Sequence, residues 1–418
     1  MNADLIIYNI GQLVTGKEIP LKDGESPMEN IEILENGYIV ISGNEIMEVG
    51  QGEVPSKLIK FTTKLVDAEG CVVTPGLIDS HTHLVHGGSR ENEFLDKIQG
   101  VPYLEILENG GGILSSVRAT RELSEEELLD KAKKSLRKML SFGVTTVESK
   151  SGYGLDSETE LKQLKVNERL NHEQEIEVVS TFMGAHALPE EYKNKREEYL
   201  EKIVDLLPII KERNLAEFFD VFCEEGVFSN EESRRLYSEA KKYGFKLRIH
   251  ADEIVNTKGA ELAVEFEMNS ADHLMAISDE GIEALKNSKT IANLLPGTSF
   301  SLGKAYAPAR KMIESGVQVA LSTDYNPGSC PTENLQLIMQ IAALKLKMKP
   351  KEIFKAVTIN AAKSIGREKR IGSIEEGKKA DFVVFDAKNI EYILYHFGVS
   401  HTKKVFKNGC LVYKKVGG

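Results

Sequence analysis

His81 and His83 stand one residue apart, just after the run Gly76-Leu77-Ile78-Asp79. On extended backbone, side chains two positions apart point the same way, so both imidazoles can face a single ion. Far downstream, His250, His273 and Asp324 offer two further imidazoles and a carboxylate. A cation such as Zn²⁺ or Fe²⁺ takes imidazole nitrogens together with a carboxylate and can keep one position for water. Water held in this way ionises near neutral pH and can open an unreactive bond. Metal-assisted hydrolysis is the chemistry these residue types suit.

Gathering residues so far apart in sequence requires a scaffold that brings many chain segments to one point. Apolar strand-like runs alternate here with amphipathic helical stretches, the pattern of a parallel sheet with crossover helices. Eight runs are expected as strands: Val72 to Ile78, Val144 to Ser149, Val178 to Met183, Phe218 to Phe222, Lys246 to Ile249, Ser270 to Ala271, Thr290 to Asn293 and Val317 to Ser322. Ser124-Glu125-Glu126-Glu127 and Ser229-Asn230-Glu231-Glu232 read as capping boxes that open helices, and Gly244 and Gly316 sit where helices should stop.

A barrel of eight such units collects its catalytic groups just past the C-terminal ends of the strands. Polar residues fall there. His81 and His83 follow the first run, Lys150 and Tyr153 the second, His186 the third, Glu224 the fourth, His250 and Glu253 the fifth, His273 the sixth and Asp324 the eighth. Gly110-Gly111-Gly112 lacks the lysine and hydroxyl pair of a phosphate loop and reads instead as part of a flap.

Both ends of the chain are rich in short strands. Leu5 to Tyr8, Tyr38 to Ser42 and Glu45 to Val49 open it, the last two joined at Gly43-Asn44. Asp381 to Phe385, Lys404 to Lys407 and Cys410 to Tyr413 close it, with a turn at Asn408-Gly409. Neither end can bury a core alone, so the termini are expected to pair into one module. The expected fold is α/β: a (β/α)8 TIM-type barrel over 75–375 with a small β-sandwich module built from 1–74 and 376–418.

The 418 residues suit one large and one small unit, and 41% apolar with 28% charged residues is a globular balance. A net charge of −11 argues against nucleic acid or an anionic membrane as partner, though a local basic pocket for a small acid stays open. No apolar stretch is long enough to span a bilayer, and the Met1-Asn2-Ala3-Asp4 start has no basic signal, so a cytoplasmic location is expected. Cys71, Cys223, Cys330 and Cys410 form no Cys-x-x-Cys pair, which points away from a disulfide framework or a zinc knuckle.

Pro75-Gly76-Leu77-Ile78-Asp79-Ser80-His81-Thr82-His83 resembles the opening metal motif of the amidohydrolase superfamily. Ser322-Thr323-Asp324 resembles its eighth-strand motif, and Gly372 to Val384 its return from barrel to β-module. A narrower resemblance, to the members that open the cyclic amide of 4-imidazolone-5-propanoate, rests on five segments: His83 to Phe94, Lys150 to Leu155, Phe182 to His186, His250 to Glu253 and Asp324 to Ser329. It implies His81, His83, His250 and Asp324 as ligands of one Zn²⁺ or Fe ion per subunit. It implies Arg90, Tyr153, His186, Glu253, Asn326, Gly328 and Ser329 as substrate contacts. The expected product is N-formimidoyl-L-glutamate.

Within that picture Asp324 accepts the water's proton and passes it toward the departing ring nitrogen. Glu253 orients the ring or moves a proton on it. His273 hydrogen-bonds the attacking water or the developing oxyanion, or else is a further ligand. Arg90 suits the propanoate carboxylate, which a guanidinium grips through two parallel bonds. Val221-Phe222-Cys223-Glu224 at the fourth strand end carries no lysine that could bridge two ions, which favours one. A homodimer is expected only because large enzymes commonly form C₂ pairs. A base deaminase of the same superfamily is the nearest alternative.

Overall fold

The structure is a computed structural model that describes residues 3–21, 24, 26–101 and 110–415. From the N-terminus, β1 (Leu5–Glu18), β2 (Ile31–Ser42), β3 (Glu45–Gln51), β4 (Lys64–Asp67) and β5 (Val72–Pro75) belong to one sheet. Eight parallel strands follow: β6 (Leu77–Thr82), β7 (Val144–Lys150), β8 (Glu177–Ala185), β9 (Phe218–Cys223), β10 (Lys246–Ala251), β11 (Ser270–His273), β12 (Ile291–Leu294) and β13 (Val319–Leu321). The chain then returns to the first sheet as β14 (Phe382–Phe385), β15 (Thr402–Lys407) and β16 (Cys410–Lys414).

In the terminal sheet β14 lies antiparallel to β5, which ties the end of the chain to its beginning. The hairpins at Gly43 and Gly409 turn with φ of 60° and 77°, left-handed values that glycine adopts without a Cβ penalty. Apolar residues alternate inward along these strands. Ile7, Leu13, Ile39, Val73, Phe382 and Phe406 share a buried cluster, where the Phe382 and Phe406 rings stack.

One sequence expectation needs correction here. Val72 to Ile78 is not a single barrel strand: Val72–Pro75 pairs with β1 and β14, and the barrel strand begins only at Leu77. The hand-over is at Gly76, where a Cβ would collide with the Thr145 side chain on β7. The barrel strand consequently runs on through His81 to Thr82, and His81 lies within β6 rather than past its end.

Sequential neighbours from β6 to β13 pair in parallel, and the ring is nearly closed. Side-chain and backbone hydrogen bonds complete the seam. Asp79 accepts from Thr323 N at 3.0 Å and Thr323 Oγ1 at 2.6 Å, the Ser80 and Ser322 hydroxyls lie 2.8 Å apart, and Asp324 N donates to His81 O at 3.1 Å. The crossover helices start as their sequences require. Ser124 and Ser229 form capping boxes with Glu127 and Glu232 on the helices Glu125–Ser141 and Asn230–Lys242. Gly316 ends the helix Ala309–Ser315 with φ 99°.

Barrel and terminal sheet share packing. Val14, Ile31, Val72 and Val383 lie in the same apolar cluster as barrel residues Met139, Leu321 and Phe354. A fully buried lysine pins the junction: Lys355, on the helix Pro350–Ala356, donates to Glu18 Oε1 at 2.6 Å, Pro27 O at 2.7 Å and Asn30 Oδ1 at 2.6 Å. Among the described residues no helix is long and apolar enough to cross a membrane.

Candidate metal centre and substrate site

The C-terminal rim of the barrel brings the sequence-expected histidines together. His81 Nε2 is 3.5 Å and His83 Nε2 3.7 Å from Asp324 Oδ1, and His83 Nε2 is 3.4 Å from His250 Nε2. Donor atoms of His81, His83 and His250 form one group, and those of His81, His273 and Asp324 a second, each group lying within 4.8 Å internally. All five residues are buried.

The orientation of two rings is fixed from behind. His81 Nδ1 is 2.8 Å from Asp272 Oδ2, and His250 Nδ1 is 3.1 Å from Asp220 Oδ1. A carboxylate accepts only, so each Nδ1 carries the proton and each Nε2 presents a lone pair to the centre. Among the described residues His81 Nε2 has no hydrogen-bond partner, an orphaned buried acceptor 3.5 Å from Asp324 Oδ1. Nitrogens bound to one tetrahedral ion at ~2.1 Å stand about 3.4 Å apart, close to the spacing found here. The donor set therefore fits a single Zn²⁺ or Fe²⁺. Burial, with the neighbouring Lys150 and histidine charges, holds His81 well below the usual imidazole range, so its ring stays neutral and able to donate its lone pair.

Asp324 sits three residues past the end of β13 with φ 56°, a left-handed value that costs a non-glycine residue energy. Thr298 Oγ1 donates to its Oδ2 at 2.5 Å. Burial raises its carboxyl to about 6, against the opposing pull of that bond and of His250. His273 and Leu274 are likewise left-handed, at 78° and 61°, which turns the His273 ring inward to 5.1 Å from His250 and 5.4 Å from His81. His273 Nε2 lies 3.6 Å from Glu253 Oε2. Burial, then the Asp324 and Glu224 charges, pushes Glu253 up to about 8, so this carboxyl carries its proton at pH 7.

The other expected contact residues surround this centre. The His186 ring stacks on His83 with centroids 4.8 Å apart and is anchored by its Nδ1, 2.9 Å from Gly152 O. Tyr153 packs edge-on to both histidines. The 324–329 loop is shaped by Asn326, whose Oδ1 accepts from Gly328 N and Ser329 N and whose Nδ2 donates to Asp324 O and Ser329 Oγ. That exhausts the amide's capacity within the loop. Ser329 Oγ reaches Asp324 Oδ2 at 3.5 Å. Arg90 lies against Gly328, its Nε 3.1 Å from Glu93 Oε2. Glu93 Oε1 also accepts from Gly112 N, which ties the glycine run to the Arg90 corner. Glu224 accepts from Ile254 N and Val255 N and so braces the loop after Glu253.

Four buried charged residues behind the histidines were not foreseen: Glu148, Asp220, Arg248 and Asp272. Arg248 Nη2 donates to Asp272 Oδ2 at 2.9 Å and Ser80 O at 2.6 Å. Lys150 bridges Glu148 Oε1 at 2.9 Å and Asp220 Oδ2 at 2.8 Å. The available signal was parity, since Arg248 and His250 alternate onto one face of β10.

The chain belongs to the amidohydrolase family, whose sequence profile matches residues 72–413. It is 62% identical over 416 residues to the imidazolonepropionase of Fusobacterium nucleatum, covering 99% of this chain and 100% of that one. It is 55% identical to the imidazolonepropionase of Alkaliphilus oremlandii, covering 99% of each. A zinc-bound adenosine deaminase from Xanthomonas campestris shares the fold, with a TM-score of 0.72 at 17% identity over 98% of this chain and 93% of that one.

Proposed function

We propose that the protein hydrolyses the cyclic amide of 4-imidazolone-5-propanoate to N-formimidoyl-L-glutamate, the third step of L-histidine degradation. The observation that carries this reading is the 62% identity, spanning 99% of the chain, to an imidazolonepropionase. The converging imidazoles and Asp324 supply the chemistry it requires. His81, His83, His250 and Asp324 would hold one Zn²⁺ or Fe ion per subunit. When bound, that ion supplies a water acidic enough to ionise near pH 7.

The protein's own groups do the rest. Asp324 takes a proton from the water as its oxygen bonds to the ring carbonyl carbon, and delivers it to the ring nitrogen as the C–N bond breaks. His273, held inward by its left-handed backbone, donates to the oxygen on which negative charge develops. Glu253, protonated at neutral pH, orients the ring and moves a proton on its nitrogen. Tyr153 and His186 line the ring's seat, and Arg90 takes the propanoate through two parallel bonds. Asn326, Gly328 and Ser329 form the loop that presents both Asp324 and Arg90 to the substrate.

The catalytic unit in this reading is 75–375, with 1–74 and 376–418 as its β-module, and the enzyme acts as a cytoplasmic homodimer. One preparation tests the reaction: metal analysis coupled to imidazolone hydrolysis, with release of N-formimidoyl-L-glutamate expected. Ammonia release from a purine or pyrimidine base, without turnover of the imidazolone, would overturn it in favour of a deaminase.

A further inference from the structure

The barrel interior below the metal centre is not filled as barrels usually are. Branched apolar side chains normally dominate there. Here Glu148, Lys150, Asp220, Arg248 and Asp272 are all fully buried. Replacing buried ion pairs by apolar residues of similar volume is often neutral or stabilising, so such a cluster is poorly explained by stability alone.

Its connections run to the proposed ligands. On one side Lys150 Nζ holds Asp220 Oδ2 at 2.8 Å, while Asp220 Oδ1 accepts from His250 N at 3.2 Å and faces His250 Nδ1 at 3.1 Å. On the other, Arg248 holds Asp272 at 2.9 Å, and Asp272 faces His81 Nδ1 at 2.8 Å. Glu148 joins the two arms. Its Oε1 lies 2.9 Å from Lys150 Nζ and 3.9 Å from Arg248 Nε, and it accepts from Thr181 Oγ1 as well. Glu148 Oε2 further accepts from Thr82 N, between His81 and His83, at 3.4 Å. The five charged side chains come from β7, β9, β10 and β11, half of the barrel strands.

We propose that Lys150 is a positioning residue of the metal centre: through Asp220 it locks the His250 ring, and through Glu148 it couples that lock to the Arg248–Asp272 pair that orients His81. Without the ammonium, Asp220 Oδ2 loses its ion-pair partner, the carboxylate is held only by the residue it orients, and the His250 ring loses its preset direction. The inference rests on the proposed reading of His81, His83, His250 and Asp324 as ligands.

The test is Zn²⁺ affinity, measured by chelator competition on the full-length wild type, Lys150→Met and Glu148→Gln, alongside thermal unfolding of each with and without Zn²⁺. Lys150→Met is expected to weaken Zn²⁺ binding about 10- to 100-fold, the usual effect of losing a group behind a metal-bound histidine. Glu148→Gln should weaken it less, and the double variant by less than the product of the two, because both act through one network. A merely structural lysine would lower the melting temperature equally with and without Zn²⁺ and leave the affinity alone. Wild-type affinity in Lys150→Met overturns the proposal while leaving the metal centre standing. Should that variant fail to fold, wild-type affinity in Glu148→Gln overturns it. A wild-type chain that fails to bind Zn²⁺ tightly would remove the ligand reading itself, and this inference with it.

Discussion

Arg90 and Gly328 share one space. A Cβ placed on Gly328 would stand 2.8 Å from Arg90 Cζ and closer still to Nη1, so the guanidinium lies where any other side chain at 328 would be. Any Cβ at 328 would make the guanidinium, the far end of a flexible side chain, move from its place. Gly328→Ala should therefore displace Arg90 while leaving the metal centre loaded. The expected outcome is a KM for the imidazolone propanoate raised about tenfold or more, with normal metal content by elemental analysis. An unchanged KM would show that the guanidinium has room to move without consequence.

Removing the guanidinium should be more severe and equally selective. A charge-assisted bond contributes about 1.5 to 3 kcal/mol, which corresponds to a KM raised roughly 10- to 100-fold for Arg90→Ala. Because the contact is made alike in ground and transition states, kcat should change much less. Steady-state kinetics that separate KM from kcat check this, and an unchanged KM would take Arg90 out of the pocket.

His81→Ala removes a buried lone pair that has no hydrogen-bond partner among the described residues, and leaves Asp272 facing an empty space. Metal retention and turnover should disappear together. Inductively coupled plasma measurement on the purified variant, with the hydrolysis assay run on the same sample, decides it. A variant that turns over without metal would sink the proposed mechanism.

The reach of the sequence differs between the ligands and what stands behind them. His81 and His83 were legible because an i, i+2 pair on a strand has one geometric meaning. Asp324, His250 and His273 followed from their places at strand ends. Glu148, Asp220, Arg248 and Asp272 were hidden, since a charge inside an apolar run reads equally as a solvated position; only the closed barrel turns that face into a buried one. The Val72–Ile78 run misled for a related reason. A continuous apolar stretch carries no mark of the point where one sheet hands over to another, and Gly76 is interpretable only once Thr145 is seen beside it. The loop role of Asn326 was likewise invisible, because its four hydrogen bonds close on neighbours within three residues and depend on local backbone angles.

The junction between barrel and terminal sheet should give the protein an acid-sensitive component of stability. Burial raises the Glu18 carboxyl, but hydrogen bonds from Lys355 and Lys363 outweigh it and hold the group below its usual value of 4.5. A carboxylate whose folded value lies below its unfolded one adds stability that is fully present above the unfolded value and is lost as pH falls through the folded one. Glu18→Gln keeps the side-chain shape and removes the titration, although Lys355 then loses its anionic partner. The melting temperature of the variant should fall below wild type at pH 7, and the gap should narrow as pH falls below the usual carboxyl value of 4.5 and on through the lowered folded one. Thermal unfolding followed by circular dichroism across that range measures it, and a gap independent of pH would mean that the Glu18 carboxylate contributes nothing through its charge.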